Sequence, residues 1–308
     1  MATVPVMISE QWARFVLPLV RKEWYQTMTG VISPVMSLFG VDGSTSSVEY
    51  SQGIGAGGLV PEYNSDNDPG NSQIQYDSFN PLYETTFTHK EYAKGIAIER
   101  KLWDDDRLGN IKRRAAGLGL EYGQTRATHA ASVFVNAFSS SYLGADGKAL
   151  CATDHPTRPD DSTSISNKGT TALSYAAVKS TLQAGRRLKN DRQVPFPVFY
   201  NTLIVPVELE ETAREILGAS GKPGTADNDA NAIGNLSVVA DPYLTDTNNW
   251  FMVDSNQAKL HLLWFNRVMP ELLPDPASNF NLVARFAGYM RYSFGWDDPK
   301  FVFGHEVA

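Results

Sequence analysis

Residues 104–138 read "DDDRLGNIKRRAAGLGLEYGQTRATHAASVFVNAF" and carry the longest helical pattern in the chain. Apolar and small residues recur at steps of three and four, from Leu108 through Leu118 and Tyr122 to Ala137, which is the spacing of one buried helix face. The acidic start suits a helix N-terminus, where free backbone N–H groups favour negative charge. At about 1.5 Å per residue, the pattern predicts one helix of about 50 Å, longer than a small domain is wide.

Four glycines interrupt this helical pattern, Gly109, Gly117, Gly119 and Gly123. Each lowers intrinsic helix stability by roughly 1 kcal/mol relative to alanine, so we expect bending or close packing along the helix. Its apolar face should pack on the alternating strands predicted at 83–100 and on the aromatic strands near the C-terminus.

A second helical pattern lies near the N-terminus, at residues 7–30, with Trp12 and Phe15 on its apolar face. Pro18 lies in the middle of this pattern, so we expect the helix to kink or split there. An apolar helix near a terminus is usually docked, either on its own core or on a neighbouring molecule.

Residues 44–82 are rich in Gly, Ser, Asn and Asp, and two stretches within them alternate apolar and polar residues, "SVEYSQ" and "SQIQYDS". This arrangement predicts a long β-hairpin with a flexible tip. A two-stranded hairpin is marginally stable alone, and ordering this much chain costs more conformational entropy than a few apolar side chains offset. The segment is therefore predicted to pack on a neighbouring subunit.

The chain after the long helix alternates loops, helices and strands. Ser174 precedes the helical pattern "YAAVKSTLQAGRRLKND" and is a predicted N-cap. The near-continuous apolar run "VPFPVFYNTLIVP" predicts a buried, central strand. The helix "VELEETAREILG" follows, then the predicted strands "LSVVADPYL" and "NWFMVD", and alternating aromatic strands close the chain. These patterns predict an α+β fold with projecting parts, which usually bury against another subunit.

Composition and charge limit the classes of function that this chain can have. The chain has 308 residues, a net charge of −7 and one cysteine. The chain has no run of about 18 apolar residues, so no membrane-spanning helix is predicted. Its net negative charge is not typical of a protein that binds nucleic acid tightly. A single cysteine cannot form an internal disulfide, which fits folding in a reducing cytoplasm.

Sequence motifs for cofactors and metals are missing. The five histidines are scattered without zinc spacing, and His129, on the stripe of the long helix, is predicted to be a core or interface residue, whereas His89 is predicted to be a polar strand position. The run "GIGAGG" lacks the GxGxxG order, and no hydrophobic strand precedes it and no helix follows it. We therefore predict no cofactor, no cofactor-binding residue and no metal ligand.

The segment "ALCATDHPTRP", residues 149–159, raises the question of an enzyme because Cys151, Asp154 and His155 lie close together. A cysteine nucleophile and its base normally meet through the fold, and Pro156 pushes the residue before it toward an extended conformation. The pattern favours a loop with a small, partly buried cysteine. A hydrolase using Cys151 and His155, or a carboxylate pair from "WDDD" or "GWDDP", is the alternative, but such acidic runs are usually solvated caps. We predict no catalytic residue.

Five segments follow one another at about 147–254: "GKALCATDHP", "LSYAAVKSTLQAGRRLKND", "LIVPVELEETAREIL", "LSVVADPYL" and "NWFMVD". This succession resembles the major capsid proteins of tailed bacteriophages, and more narrowly the Mu-like major head subunit family. The resemblance implies an N-terminal arm at 1–35, a peripheral domain at 36–43 and 83–144 with a spine helix at about 104–138, an extended loop at 44–82, an axial domain at 145–275 and a return to the peripheral domain at 276–308.

The resemblance also implies a function and partners. The chain would self-assemble into hexamers and pentamers that form an icosahedral shell around double-stranded DNA, as a virion component assembled in the host cytoplasm. Its partners would be other copies of itself, the portal protein, and scaffolding and decoration proteins, with only weak, non-specific proximity to packaged DNA and no membrane contact. Because no long charged coiled-coil-like segment precedes the arm, we expect a mature form or a separate scaffolding protein.

Residues that contact neighbouring subunits are predicted in the arm and in the extended loop: Trp12, Phe15, Val48, Tyr50, Leu59, Ile74 and Tyr76. The alternative to a shell subunit is another phage structural protein, a tail tube or decoration subunit. A tail tube subunit would be mostly β and would lack a helix of this length.

Overall fold

A computed structural model describes residues 9–31, 33–56, 59–60, 76, 81–99, 101, 105, 109–159, 163–218, 231, 233, 236–274 and 283–307, with side chains from residue 17 onwards. These residues form two main β-sheets with helices packed against them. One hydrophobic core lies between the long helix, the first sheet and one face of the second, and another core lies on the opposite face of the second sheet.

The elements follow one another in a mixed order. The helices are α1 (Ser9–Gly30), α2 (Asn110–Val135), α3 (Tyr175–Arg186), α4 (Glu210–Gly218) and α5 (Ser255–His261). The strands are β1 (Gly40–Gly43), β2 (Val48–Ile54), β3 (Pro81–Thr88), β4 (Lys90–Glu99), β5 (His155–Pro156), β6 (Ser164–Ile165), β7 (Lys168–Gly169), β8 (Thr202–Val205), β9 (Ser237–Ala240), β10 (Trp250–Val253), β11 (Leu262–Pro274), β12 (Val283–Trp296) and β13 (Val302–His305).

The first sheet has four strands in the order β1-β11-β12-β4, with β1 parallel to β11 and the other pairs antiparallel. Helix α2 packs on this sheet as its apolar stripe predicts. Its Tyr122 hydroxyl accepts a hydrogen bond from the Lys94 N–H of β4 at 2.6 Å and donates to the Gly288 carbonyl of β12. Nδ1 of His129 lies 2.7 Å from the hydroxyl of Tyr292 on β12, so this histidine is a packing residue at the helix–sheet interface.

Helix α2 is shorter than predicted. It comprises 26 residues, Asn110–Val135, and is therefore about 39 Å long rather than about 50 Å. Gly109 precedes it in the left-handed region, at φ 68°, and the first turn contains no acidic residue. The predicted start at residue 104 is wrong because a left-handed residue cannot continue a right-handed helix.

The long helix and the N-terminal helix approach each other closely at two glycines. A Cβ atom at Gly119 would lie 2.4 Å from the carbonyl oxygen of Trp24, and one at Gly123 would lie 2.7 Å from the Val31 side chain. The expectation of close packing is confirmed at these positions. Of the two effects expected at Pro18, a kink or a split, the split is wrong, since α1 continues through this residue. Burial of Trp24 and Val20 helps to offset the missing hydrogen bond of the proline.

The segment predicted as one long strand or two at 83–100 forms two strands that belong to different sheets. Strand β3 pairs with β2 in a separate two-stranded hairpin, and β4 pairs with β12. His89 lies between them and is buried, with its two ring nitrogens 2.9 Å from Ser44 Oγ and 3.0 Å from Ser293 Oγ. His89 is thus a buried residue that connects Ser44 and Ser293 by hydrogen bonds, rather than an ordinary polar strand position.

The second sheet has five strands in the order β7-β13-β10-β8-β9. Of the buried strand predicted over the run at 194–206, only β8 forms a strand, and all four of its residues are buried; residues 196–201 before it belong to no strand. Ser174 caps α3 as predicted, because its side chain accepts a hydrogen bond from Ala177 N at 3.2 Å. Helices α3 and α4 cover the same face of this sheet, and their buried residues share one core with the Leu203 and Trp250 side chains.

Strand pairing departs from the predicted domain limits in two places. Strand β11 falls within the predicted axial range of 145–275 but belongs to the four-stranded sheet, because it forms a long antiparallel pair with β12. Strand β13 falls within the predicted peripheral return at 276–308 but inserts between β7 and β10 of the five-stranded sheet. Long-range pairing of this kind cannot be read from local alternation. None of the described helices is both long enough and apolar enough to span a bilayer.

Candidate assembly surface

The hairpin formed by β2 and β3 exposes large apolar side chains. The two strands pair in the register Val48↔Thr88 to Gln52↔Glu84, with an irregularity before Ile54. The exposed fraction of the side chains is 65% for Tyr50 and 71% for Ile54. Further along the same segment it is 79% for Leu59 and 92% for Tyr76. Large apolar side chains that are exposed repeatedly along one segment mark an interaction surface.

The predicted contact residues divide into three groups. Tyr50, Leu59 and Tyr76 are exposed, and Val48 is half-buried near the start of β2. Trp12 and Phe15 lie in α1, but their side chains are outside the described part of the chain. Ile74, with most of the predicted strand "SQIQYDS", also lies outside it, and the partner that β2 finds is β3.

The hairpin is attached to its own subunit in the middle of β2 and just beyond the end of that strand. Ser51 Oγ donates a hydrogen bond to Asp297 Oδ2 at 2.5 Å, and the Ala56 N–H donates to Asp191 Oδ1 at 3.0 Å. The expectation that residues 44–82 lie on a neighbour rather than on their own core therefore does not hold for Ser51 and Ala56. The two aspartates come from "GWDD" and "KNDR", and nothing in either motif indicates a partner more than one hundred residues away.

Asp297 also holds a histidine. Its Oδ1 lies 2.9 Å from Nδ1 of His261, the last residue of α5. Burial lowers the pKa of His261, but the hydrogen bond and the charge of Asp297 outweigh burial and raise it above its ordinary value. One carboxylate thus connects the hairpin, β12 and α5.

A cleft of about 250 Å³ separates the hairpin from the unit built on the five-stranded sheet. Ile54 and Leu82 line it on the hairpin side, and Phe196 and Val198 line it on the other side. Its rim carries Asp191, which anchors Ala56. The cleft is therefore part of the hairpin attachment.

The cysteine segment does not assemble a nucleophile. The Cys151 side chain is fully buried against Gly304, and burial raises the pKa of its thiol, which is opposite to the change that activates a cysteine. His155 instead places Nδ1 at 2.6 Å from Asp146 Oδ2 and Nε2 at 3.1 Å from Asn167 Oδ1. Asp154 pairs with Lys148. The three predicted candidates therefore have three different environments, as expected of a structural loop.

Asn167 is a structural residue that sequence reasoning missed. Its Oδ1 accepts a hydrogen bond from Ala152 N at 2.8 Å, and its Nδ2 donates to the carbonyls of Leu150, Pro299 and Val302 at 2.8, 3.1 and 3.2 Å. It thereby joins the cysteine segment to the start of β13. Among the described residues, no group of three or more His, Cys, Asp and Glu side chains could hold a metal ion.

Comparisons with known proteins agree with this architecture. The family described as phage capsid protein matches residues 83–303, which is most of the chain. No curated protein matches the chain. The solved capsid of cyanophage P-SCSP1u is similar in fold, with a TM-score of 0.58 at 12% identity over 90% of this chain and 88% of that one.

Two further solved structures are similar in fold. One from Microbacterium phage Oxtober96 has a TM-score of 0.57 at 10% identity over 90% of this chain and 91% of that one. The capsid of bacteriophage JBD30 has a TM-score of 0.55 at 14% identity over 68% of this chain and 90% of that one.

Proposed function

The chain belongs to the phage capsid protein family and is a major capsid protein of the shell, and we propose that it closes this shell as hexamers and pentamers around double-stranded DNA. The observation that carries the proposal is the exposure of large apolar side chains along the hairpin segment of the single subunit, at Tyr50, Ile54, Leu59 and Tyr76. Burying about 100 Å² of apolar surface contributes roughly 2.5 kcal/mol, so these side chains favour association once a neighbour covers them.

The same proposal assigns the parts of the chain their roles. Residues 1–35 are the arm, 44–82 the extended loop, and the predicted contact residues of both segments lie at subunit boundaries. The four-stranded sheet with α2 is the peripheral part, and the five-stranded sheet with α3 and α4 is the axial part. The narrower assignment to the Mu-like group stays a prediction.

Further partners follow from the place of a shell subunit in a virion. We expect a portal protein at one vertex, a scaffolding protein during assembly, and decoration proteins on the finished shell, with assembly in the host cytoplasm. With a net charge of −7, the chain is suited to weak, non-specific contact with packaged DNA rather than tight binding.

Electron microscopy of the purified full chain, alone and with its scaffolding partner, tests the proposal. Closed shells with fivefold vertices are the expected result. Tubes would indicate a tail subunit, and particles that stay monomeric at high concentration would contradict the proposal.

Hydrogen exchange tests the role of the extended loop. Amides at 44–82 should exchange faster in the free subunit than in the shell, while the amides of α2 stay protected in both states, because α2 is buried within its own subunit. Equal protection of the loop in both states would mean that it packs on its own subunit.

A further inference from the structure

The hairpin joins the four-stranded sheet through two short crossings of the chain. Residues 44–47 connect β1 with β2, and His89 is the single residue between β3 and β4. Strands β1 and β4 belong to the four-stranded sheet, while β2 and β3 pair only with each other. The two crossings therefore set the angle at which the hairpin leaves the sheet, and we refer to them as the hairpin root.

His89 connects both crossings with the sheet itself. Its Nε2 atom lies 2.9 Å from Oγ of Ser44 in the other crossing, and its Nδ1 atom lies 3.0 Å from Oγ of Ser293 on β12. Ser44 is also fixed to β11, since its N–H donates to the Asn266 carbonyl at 2.9 Å. The side chains of His89, Ser44 and Ser293 are each 7% exposed or less, so these hydrogen bonds are shielded from water.

The proton positions at the root follow from the available donors and acceptors. Ser44 has one hydroxyl proton, and the carboxylate of Glu49, at 2.5 Å, is the strongest acceptor that contacts it. The imidazole must therefore donate from Nε2 to Ser44. A neutral imidazole then has a bare Nδ1, which accepts the hydroxyl proton of Ser293. One neutral tautomer of His89 thus satisfies every bond that the residue makes at the root.

A second proton on His89 is incompatible with these bonds. The imidazolium has two donors, so Ser293 would have to turn its own proton away, and its hydroxyl has no other partner within the described residues. Burial lowers the pKa of His89 most strongly, and Arg291 on β12 lowers it further. Arg267 on β11 acts in the same direction, whereas Glu49 on β2 opposes it. The root therefore requires the neutral imidazole.

Other contacts hold the hairpin independently of His89. Near the end of β3, the ring centre of the buried Phe87 lies 5.3 Å from that of Phe265 on β11. Ser51 and Ala56 form their hydrogen bonds further from the root. Loss of the bonds of His89 should therefore change the angle of the hairpin rather than detach it.

From this arrangement we infer that neutral His89 locks the hairpin root and that mild acid releases it, so that presentation of the hairpin to a neighbouring subunit depends on pH. The inference rests on the proposed function. In a released root, His89 has the ordinary histidine pKa of about 6.5, whereas in the locked root it binds the proton more weakly. The proton therefore favours the released form, and the lock weakens as the pH falls below about 6.5.

Hydrogen exchange in the free, full-length subunit tests the lock. After correction for the intrinsic pH dependence of exchange, the amides at 44–50 and 86–90 should exchange faster at pH 5 than at pH 7, by up to about thirtyfold. His89→Gln should lack this increase, because glutamine offers one donor and one acceptor, as neutral imidazole does, but does not titrate. The amides of α2 should stay protected in both proteins, which separates release of the root from global unfolding.

His129→Gln is the matched control. Burial also lowers the pKa of His129, but its Nδ1 lies 2.7 Å from the hydroxyl of Tyr292 at the helix–sheet interface, away from the two crossings. This variant removes one buried, titrating histidine and leaves the root unchanged. The faster exchange at 44–50 and 86–90 in acid should therefore persist in it.

Nitrogen NMR of the imidazole provides a test that needs no substitution. In the unmodified chain at pH 7, we expect the proton of His89 on Nε2 and a bare Nδ1. Shell yield then relates the lock to assembly. Between pH 7 and pH 5 the unmodified chain should lose a larger fraction of its shell yield than His89→Gln, since all other titrating groups are the same in the two proteins.

Two results would overturn the lock: a proton on Nδ1 at pH 7, or an equal effect of pH on exchange at the root in the unmodified chain and in His89→Gln. Equal losses of shell yield in these two proteins would overturn its link to assembly. If the unmodified chain forms no shells at pH 7, the proposed function fails, and exchange in the free subunit still tests the lock.

Discussion

The long helix α2 and the hairpin of β2 and β3 differ in how far their own subunit buries their apolar side chains. Leu118 on α2 is 2% exposed, because α1 and the four-stranded sheet cover the helix within one subunit. Tyr50 on the hairpin is 65% exposed, although Ser51 and Ala56 of the same segment donate hydrogen bonds to Asp297 and Asp191 of their own subunit. The helix region should therefore determine folding of the subunit, and the hairpin should determine assembly of the folded subunits.

The largest effect should come from placing a charge on the covered face of α2. Leu118→Asp buries an unpaired carboxylate and removes apolar contacts, which costs several kcal/mol, about 4 or more, out of a total stability of about 5–15 kcal/mol. We expect loss of the folded subunit, measured by circular dichroism and thermal unfolding. Leu120→Asp is the control on the same helix, because Leu120 is 41% exposed and should tolerate the change. Equal behaviour of the two variants would contradict the packing described for α2.

A smaller effect should follow from acidification of the axial core. His305 is buried and stacked on Trp250 with ring centres 3.9 Å apart, and burial lowers its pKa to about 4. A histidine whose pKa is lower in the folded state binds its proton more weakly there than in the unfolded chain. Its contribution to stability is therefore present above the unfolded pKa of about 6.5 and is lost as the pH falls toward about 4.

Urea unfolding at several pH values measures this loss. We expect the free energy of unfolding of the normal chain to fall by about 1–3 kcal/mol more between pH 7 and pH 4 than that of His305→Gln, which cannot take up the proton. Since carboxylates titrate in both proteins, only the difference between them reports on His305. Parallel pH profiles would contradict the burial of this imidazole.

The contact between α1 and α2 should respond to glycine substitution with opposite signs at neighbouring positions. Gly119→Ala places a methyl group 2.4 Å from the Trp24 carbonyl and should lower stability by about 1–3 kcal/mol. Gly117→Ala meets nothing within 4 Å and should raise stability by up to about 1 kcal/mol through helix propensity. Thermal unfolding of both variants gives the comparison. A stabilised Gly119→Ala would show that α1 does not approach the helix at that glycine.

The smallest effect on folding should come from the hairpin surface. Tyr50→Ser removes an exposed aromatic side chain and should change the free energy of unfolding of the free subunit by no more than about 0.5 kcal/mol. Its effect should instead fall on assembly, because in the proposed shell a neighbouring subunit covers this apolar surface. Shell yield measured by sedimentation separates the two quantities. A large loss of subunit stability with normal assembly would reverse the roles given to the helix and the hairpin.

Several parts of the fold could be predicted because their causes are local. The stripe through Leu118 and Tyr122, the cap at Ser174 and the apolar run of β8 each depend on residues within a few positions of one another. The start of α2 was harder to predict, because acidic residues before Gly109 suggest a helix while the left-handed backbone of that glycine ends it. The continuity of α1 through Pro18 depends on packing against α2, which the proline does not reveal.

By itself, the sequence determined the pattern of elements, the absence of a recognisable catalytic or metal motif and the order of segments that matches the capsid family. These features depend on local spacing and on composition. Only the tertiary structure decided that β13 joins the five-stranded sheet and that Asp297 and Asp191 hold the hairpin to its own subunit. The physical reason is distance along the chain. Hydrogen bonds between residues that are more than one hundred positions apart leave no periodicity in the sequence.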